Sequence, residues 1–258
     1  MKLTYLVPTS DKVFYSTLGS FKDDAIPVDW RDWLYSFFPS LDKEKSLSLS
    51  WKERKKYVQS ELEKIYHSVL PILQQKATQW NTFFQKRLPE LTILFSNVFN
   101  LDASCVFNDM SAYVNLNPIC PRYLDEHSFY LFYNYSDEFV FTVSLHELIH
   151  FFWFYKWQEY FHDNPAEYDE PHLKWIYSEM VEDTFAHYSD FKKFFSQQNA
   201  HNYFYKLTID GENLLEILGK IYSEQGLNGL FTSGFDMIRQ NEKQIRTDIR
   251  KITGSNWC

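Results

Sequence analysis

The chain centres on Ser144-Leu145-His146-Glu147-Leu148-Ile149-His150, a His-Glu-x-x-His pattern inside a long apolar and aromatic segment. On an α-helix, residues four positions apart lie on the same face, so His146 and His150 can both reach one metal ion. Glu147 follows directly, where its carboxylate can reach a water molecule bound to that metal. Burying a glutamate and two histidines in so apolar a segment is costly unless something pairs them. The stretch therefore predicts a helix that carries a zinc site.

The sequence also marks where this helix begins and ends. Ser136 offers a side-chain acceptor for the first turn, and the two acidic residues after it suit the positive end of the helix dipole. The polar residues 162–165 predict an end near Phe161. The apolar segment 139–157 has about the length of a membrane span, but its ionisable groups near the middle are expensive in a bilayer. We therefore expect no membrane span.

A catalytic zinc ion normally takes three protein ligands, so the two histidines need a partner. The metzincin pattern would continue with glycine at position 153 and histidine at position 156. The chain has Trp153 and Lys156 there, which excludes that class.

The other common third ligand is a glutamate on a following helix. Apolar residues between 173 and 185 keep helical spacing, and the dipeptide Glu170-Pro171 favours a helix start. On a helical wheel Glu179 and Asp183 lie together beside the apolar stripe, whereas Glu182 falls on the side turned away. We expect Glu179 to be the third ligand. Asp183 is expected to accept the second ring N–H of a ligating histidine.

His146-Glu147-x-x-His150 followed by Glu179-x-x-x-Asp183 resembles the gluzincin clan of metallopeptidases, the thermolysin-like class. The resemblance covers residues 104 to 190 and implies that Glu147 is the general base and acid. It departs from the clan at Ser178, where thermolysin-like enzymes usually have Asn. The resemblance also implies that the edge strand of a small upstream sheet binds extended substrate, and the residues expected to form that strand are Ala112, Tyr113, Val114 and Asn115.

Five further residues are candidate helpers near the metal. His172 and His187 lie on the same flank as Glu179, and each is either an electrophilic helper or a hydrogen-bonded structural histidine. The resemblance also requires a group that stabilises the oxyanion. The candidates for that group are His201, Tyr203 and Tyr205, and nothing in the sequence chooses among them.

The whole sequence predicts an α+β, mainly helical zincin-like fold, with a small mixed sheet upstream of the motif helix. Strands are expected within residues 1–20 and near 105–107, 112–116 and 128–134. A capping box at Ser50 and Glu53 predicts a long amphipathic helix, which Pro71 either kinks or divides.

The same patterns predict three regions along the chain. Residues 1–100 are expected to be mostly helical with short strands at the start, 101–190 to form the zincin-like core, and 191–258 to form a helical C-terminal subdomain. Within the last region, helices are expected from Gly211 to Glu224 and from Gly234 to Lys251.

The composition narrows the range of partners. A formal net charge of −8 argues against nucleic acid or an anionic membrane as the main partner. The three cysteines are far apart and form no Cys-x-x-Cys motif, which is typical of free thiols in a reducing cytoplasm. The first residues show no signal-peptide pattern. These features predict a cytoplasmic protein and give no indication of its oligomeric state.

The sequence therefore predicts a metallopeptidase with one zinc ion, which cleaves a peptide or protein substrate. Two alternatives stay open. The first is an inactive zincin-like domain that binds a protein or peptide without cleaving it, because a fold and a motif do not guarantee activity. The second is a metal-free helical protein whose histidines satisfy core hydrogen bonds.

Overall fold

The structure is a computed structural model that describes residues 1–23, 28–195 and 206–253. It divides into two compact units. The first unit comprises Met1–Pro89 and Cys105–Val143, and the second comprises Glu90–Ser104 and Ser144–Cys258. The division into three regions at residues 100 and 190 stays a prediction.

The described residues are mostly helical, with a small mixed sheet, so the predicted α+β class is confirmed. In chain order the helices and strands are β1 (Leu3–Leu6), α1 (Ser10–Leu18), α2 (Val28–Ser36), α3 (Lys43–Ser48), α4 (Trp51–Gln85), α5 (Leu88–Phe99), α6 (Ala103–Val106), β2 (Met110–Asn115), β3 (Arg122–Tyr123), β4 (Ser128–Phe132), α7 (Asp137–Phe161), α8 (Leu173–Tyr188), β5 (Thr208–Ile209), β6 (Glu212–Asn213), α9 (Leu214–Gly229), α10 (Phe235–Gln240) and α11 (Glu242–Thr253).

The mixed sheet lies in the first unit and has the strand order β1-β2-β4-β3. Strand β2 pairs in parallel with β1 on one side and with β4 on the other, while β3 is antiparallel to β4. Ala112, for example, lies opposite both Tyr5 and Phe129. Strand β2 is therefore a central strand, paired with β1 over residues 110–113 and with β4 over residues 111–115, and the prediction that residues 112–115 form a substrate-binding edge strand is wrong.

The long helix α4 begins at the predicted capping box. The backbone N–H of Ser50 donates to Glu53 Oε2 at 3.2 Å, and the Ser50 hydroxyl donates to the same oxygen at 2.6 Å. The helix continues through Pro71 without dividing. Proline removes one backbone hydrogen bond, but the buried face continues on both sides of it, from Leu62 to Leu73, so packing keeps the helix whole.

Several local predictions are wrong. Residues 10–18 form α1 where a second strand was an option, and residues 103–106 form α6 where a strand was expected. The segment 88–99 forms helix α5, in keeping with the mostly helical region expected for 1–100, and its buried residues Leu91, Leu94, Phe95 and Phe99 recur at steps of three, one and four.

Helix α7 starts and ends as predicted. At its start, in the first unit, the backbone N–H of Phe139 donates to Ser136 Oγ at 3.2 Å. The Asp137 carboxylate accepts from Trp80 Nε1 at 2.9 Å and from Gln79 Nε2 at 2.5 Å. The carboxylate in the first turn thus accepts hydrogen bonds from an indole and an amide of α4. These bonds hold the start of the motif helix against α4 within the first unit.

In the second unit, residues from α7 pack against α8 through large aromatic side chains. Trp153 and Tyr177 are both fully buried, and their ring centroids lie 5.7 Å apart. The Tyr177 hydroxyl donates to the carbonyl of Leu230 at 2.6 Å, where a π-helical turn, Leu230–Gly234, follows α9. The predicted C-terminal helices correspond to α9 and to α10 with α11, preceded by the β5–β6 hairpin.

The predicted absence of a membrane span is consistent with the helices. Across residues 1–23, 28–195 and 206–253, no helix has both the length and the apolar character that crossing a bilayer requires.

Candidate metal centre

Helix α7 brings two imidazoles together in the second unit. His146 Nε2 and His150 Nε2 lie 3.1 Å apart. Leu145, Leu148 and Ile149 are fully buried and anchor this turn of the helix. His150 is fully buried as well, while the His146 side chain keeps 17% of its surface exposed. The two side chains therefore present one nitrogen each to the same point.

Helix α8 supplies a carboxylate at that point. Glu179 Oε1 lies 3.3 Å from His150 Nε2, and Glu179 Oε2 lies 3.5 Å from His146 Nε2. The Glu179 side chain is only 5% exposed. Two helices thus assemble the group His146, His150 and Glu179 that the sequence analysis predicted, and its ligand atoms all lie within 4.8 Å of one another.

The spacing of these atoms fits one metal ion. In a tetrahedral site with metal–ligand bonds of about 2.0–2.2 Å, neighbouring ligand atoms lie roughly 3.3–3.6 Å apart. The two imidazole nitrogens lie 3.1 Å apart, slightly closer than this range, and the nearest Glu179 oxygens lie 3.3 Å from His150 Nε2 (Oε1) and 3.5 Å from His146 Nε2 (Oε2). Two histidines and a glutamate are also one of the ligand sets found at catalytic zinc sites. Both the spacing and the chemistry of this donor set therefore suit a divalent cation.

A second carboxylate contacts the outer nitrogen of His146. Glu182 Oε2 lies 3.1 Å from His146 Nδ1, and Glu182 is 1% exposed. The prediction that Glu182 is turned away is wrong. The wheel placed it relative to an apolar stripe, but residues 176–186 of α8 are all buried, so the stripe does not mark a single inner face.

Asp183 was expected to accept a hydrogen bond from a ligating histidine. The carboxylate beside the second ring nitrogen of His146 belongs to Glu182. Asp183 is itself buried, and its backbone carbonyl lies 2.7 Å from His187 Nδ1. Its role as a partner of a ligand stays a prediction. A wheel centred on Glu179 would have found both acids, since positions three and four residues later share its face.

The carboxylates change the protonation of His146. Burial lowers the pKa of this imidazole, but the charges of Glu182, Glu179 and Glu147 raise it more, to about 10. The chain without metal therefore holds an imidazolium here at neutral pH. The pKa of Glu170 is raised by burial and by the charge of Glu179. The raised pKa of His146 indicates that the carboxylates of this site favour a positive charge beside them.

Glu147 lies close to the same centre. It is 6% exposed and directly follows His146 in α7, and its charge contributes to the raised pKa of that histidine. Its role as a general base stays a prediction.

The other predicted helpers are less central. His172 is exposed at the N-cap of α8. His187 is also exposed, and its contact with the Asp183 carbonyl, four residues earlier, is typical of a structural histidine. His201, Tyr203 and Tyr205 lie outside the described residues.

Comparison with models of protein families, with curated proteins and with solved structures finds no match to this chain. The resemblance to gluzincins therefore depends on the motif residues and their arrangement.

Proposed function

We propose that this chain is a zinc-dependent metallopeptidase of the gluzincin type, with a zincin-like core around α7 and α8. The observation that carries the proposal is the convergence of His146 Nε2, His150 Nε2 and the Glu179 carboxylate at separations of 3.1 to 3.5 Å. Glu147 stands next to this group on the same helix. A peptide or protein substrate and a cytoplasmic location are parts of the same proposal.

His146, His150 and Glu179 would hold the zinc ion. Two neutral imidazoles and one carboxylate leave a net positive charge on a bound Zn²⁺ and a position open for water, as in catalytic sites. Zinc bound there would supply Lewis acidity, lowering the pKa of water and polarising the scissile carbonyl.

Glu147 is the proton carrier of this proposal. Its carboxylate takes a proton from the attacking water as the new carbon–oxygen bond forms. It then gives that proton to the departing amine as the carbon–nitrogen bond breaks, so the carboxylate returns to its starting state. Its low exposure keeps bulk water from competing for the proton.

The test is hydrolysis of a broad peptide library by the zinc-loaded protein, compared with a Glu147→Gln variant. The amide has the size of the carboxylate but cannot accept the proton. We expect cleavage by the wild type and a loss of about 100-fold or more in the variant, since positioned proton transfer contributes about 10²–10⁴-fold. Both proteins should bind one zinc ion.

Two results would contradict this function. Equal cleavage by wild type and Glu147→Gln would show that a different group, or a contaminant, performs the reaction. Zinc binding without cleavage of any library member would favour the alternative, a zincin-like domain that binds a peptide or protein partner and leaves it intact.

A further inference from the structure

We propose that Glu182, and not Asp183, is the residue that positions His146 as a metal ligand. This inference extends the proposed zinc site and names the acid that orients its first histidine. Its basis is the 3.1 Å separation between Glu182 Oε2 and His146 Nδ1.

The two nitrogens of the His146 ring face different partners. Nε2 faces the other two ligand groups, at 3.1 Å from His150 Nε2 and 3.5 Å from the Glu179 carboxylate. Nδ1 faces Glu182 on the opposite edge of the ring. A carboxylate only accepts hydrogen bonds, so Nδ1 would carry the hydrogen and leave the lone pair of Nε2 for a bound metal.

The surroundings of Glu182 make this contact strong. The Glu182 side chain is 2% exposed, so water hardly competes for the hydrogen bond. Within the described ranges, the only ion pair formed by Glu182 is with His146. A buried carboxylate with a single partner is costly to keep. In this position the carboxylate would fix the orientation of the His146 ring and raise its basicity.

Helix α8 supplies both the carboxylate ligand and the carboxylate that orients His146. Glu179 and Glu182 are three residues apart on α8, so they project from neighbouring positions of the same face. The His146 ring lies between them, with one nitrogen toward each carboxylate. The pattern of this chain is therefore His-Glu-x-x-His followed by Glu-x-x-Glu. The acid that orients the histidine lies one position before the aspartate of the gluzincin Glu-x-x-x-Asp pattern.

The first test is the zinc dissociation constant, measured by competition with a fluorescent chelator for wild type, Glu182→Gln and Asp183→Asn. Both substitutions keep side-chain size and remove one buried charge, so each serves as the control of the other. We expect Glu182→Gln to bind zinc about 10–100-fold more weakly, as is typical when the acid behind a ligating histidine is lost. Asp183→Asn should change the constant by less than about threefold. Thermal unfolding in chelator selects the variants that are folded for comparison.

The second test is NMR spectroscopy of the histidine rings, and its main result comes from the wild-type protein. In zinc-loaded wild type labelled with ¹⁵N-histidine, the His146 ring should show a strongly deshielded, slowly exchanging hydrogen on Nδ1, with Nε2 bound to metal. In Glu182→Gln that resonance should move upfield, while the His150 ring signals stay in place. A merely structural role of Glu182 would leave the Nδ1 resonance unchanged in a folded variant.

The outcomes separate this inference from the proposed function. If Glu182→Gln binds zinc as tightly as wild type, or Asp183→Asn is the weaker binder, Glu182 does not position His146, whether or not peptides are cleaved. If Glu182→Gln loses affinity as expected but no peptide is cleaved by the wild type, the role of Glu182 stands and the peptidase function fails.

Discussion

His146 Nε2 and His150 Nε2 lie 3.1 Å apart on one face of α7, and Glu179 of α8 contacts both. The three candidate ligands thus come from the part of α7 that lies in the second unit and from α8. The positions of α7 and α8 relative to each other therefore determine whether the site exists. Residues that hold these helices together should affect both stability and metal binding.

Asp163 stabilises the loop between α7 and α8 through hydrogen bonds and an ion pair. Its carboxylate accepts from Trp157 Nε1 at 2.9 Å and from the Tyr168 hydroxyl at 2.6 Å, and it lies 2.5 Å from Lys174 Nζ. We expect Asp163→Asn to lower the free energy of unfolding by about 1–3 kcal/mol at pH 7, because hydrogen bonds to a charged group are lost. Urea denaturation measures the difference. Glu167→Gln is the control, because Glu167 also pairs with Lys174 at 2.6 Å but is half exposed, so it should lose less.

The effect of Asp163 should depend on pH. Burial raises the pKa of this carboxyl, but its bonds to Lys174, Tyr168 and Trp157 lower it more, to below the ordinary value of 3.8. A lowered folded-state pKa means that the stabilisation is present above about pH 4 and is lost as the pH falls through the folded-state value. The difference between wild type and Asp163→Asn should therefore shrink in acid. A difference that stays constant down to pH 2 would contradict this.

Gly234 lies where α8 meets the π-helical turn. A methyl group added at Gly234 would meet the Tyr177 hydroxyl, which is already bonded to the Leu230 carbonyl. We expect Gly234→Ala to destabilise the protein by about 1–3 kcal/mol, the usual cost of overpacking a core. Gly19→Ala is the matched control, because a methyl group there meets nothing within 4 Å and the backbone is right-handed helical. Equal thermal unfolding of the two variants would contradict the packing described here.

Removal of metal should lower the thermal stability of the chain. Without metal, three buried glutamates of this site, Glu147, Glu179 and Glu182, have the single charge of the His146 imidazolium to offset them. Free zinc at 100 times its dissociation constant should add about 2.7 kcal/mol to the free energy of unfolding. Glu179→Gln should abolish this zinc-dependent stabilisation. Glu224→Gln should keep it, because Glu224 is an exposed acid of α9. Scanning calorimetry with zinc and with a chelator measures both, and a shift that persists in Glu179→Gln would exclude this ligand.

Zinc binding should release about one proton near neutral pH. The raised pKa of His146, about 10, means that this ring is protonated in the metal-free chain at pH 7, whereas a ligand must be neutral. The apparent affinity should therefore rise about tenfold per pH unit between pH 7 and pH 9. Titration calorimetry in buffers of different ionisation enthalpy counts the proton. An affinity that does not change over this range would show that His146 is already neutral.

The features that the sequence predicted well depend on residues that are close together along the chain. The motif helix has its cap at Ser136 and its two histidines one turn apart, and α7 follows both signals. Glu179 was found because only a few acids on the next helix lie near its apolar stripe. Helix caps and four-residue spacing depend on neighbours along the chain, so one sequence is enough to predict them.

The features that were missed depend on distant partners. Strand β2 is central because residues 3–6, from the start of the chain, pair with it, and nothing in segment 110–115 indicates that pairing. Glu182 was misplaced because α8 is buried on all sides, so a polar residue on it need not face solvent. A wheel centred on the apolar stripe could not show that Glu182 contacts His146.

The measurement that tests the central claim most directly is a crystal structure of the zinc-soaked protein with data collected on both sides of the zinc absorption edge. We predict one anomalous peak per chain, about 2.0–2.2 Å from His146 Nε2, His150 Nε2 and an oxygen of Glu179. A peak held by other residues, or no peak at this position under saturating zinc, would contradict the assignment of this site.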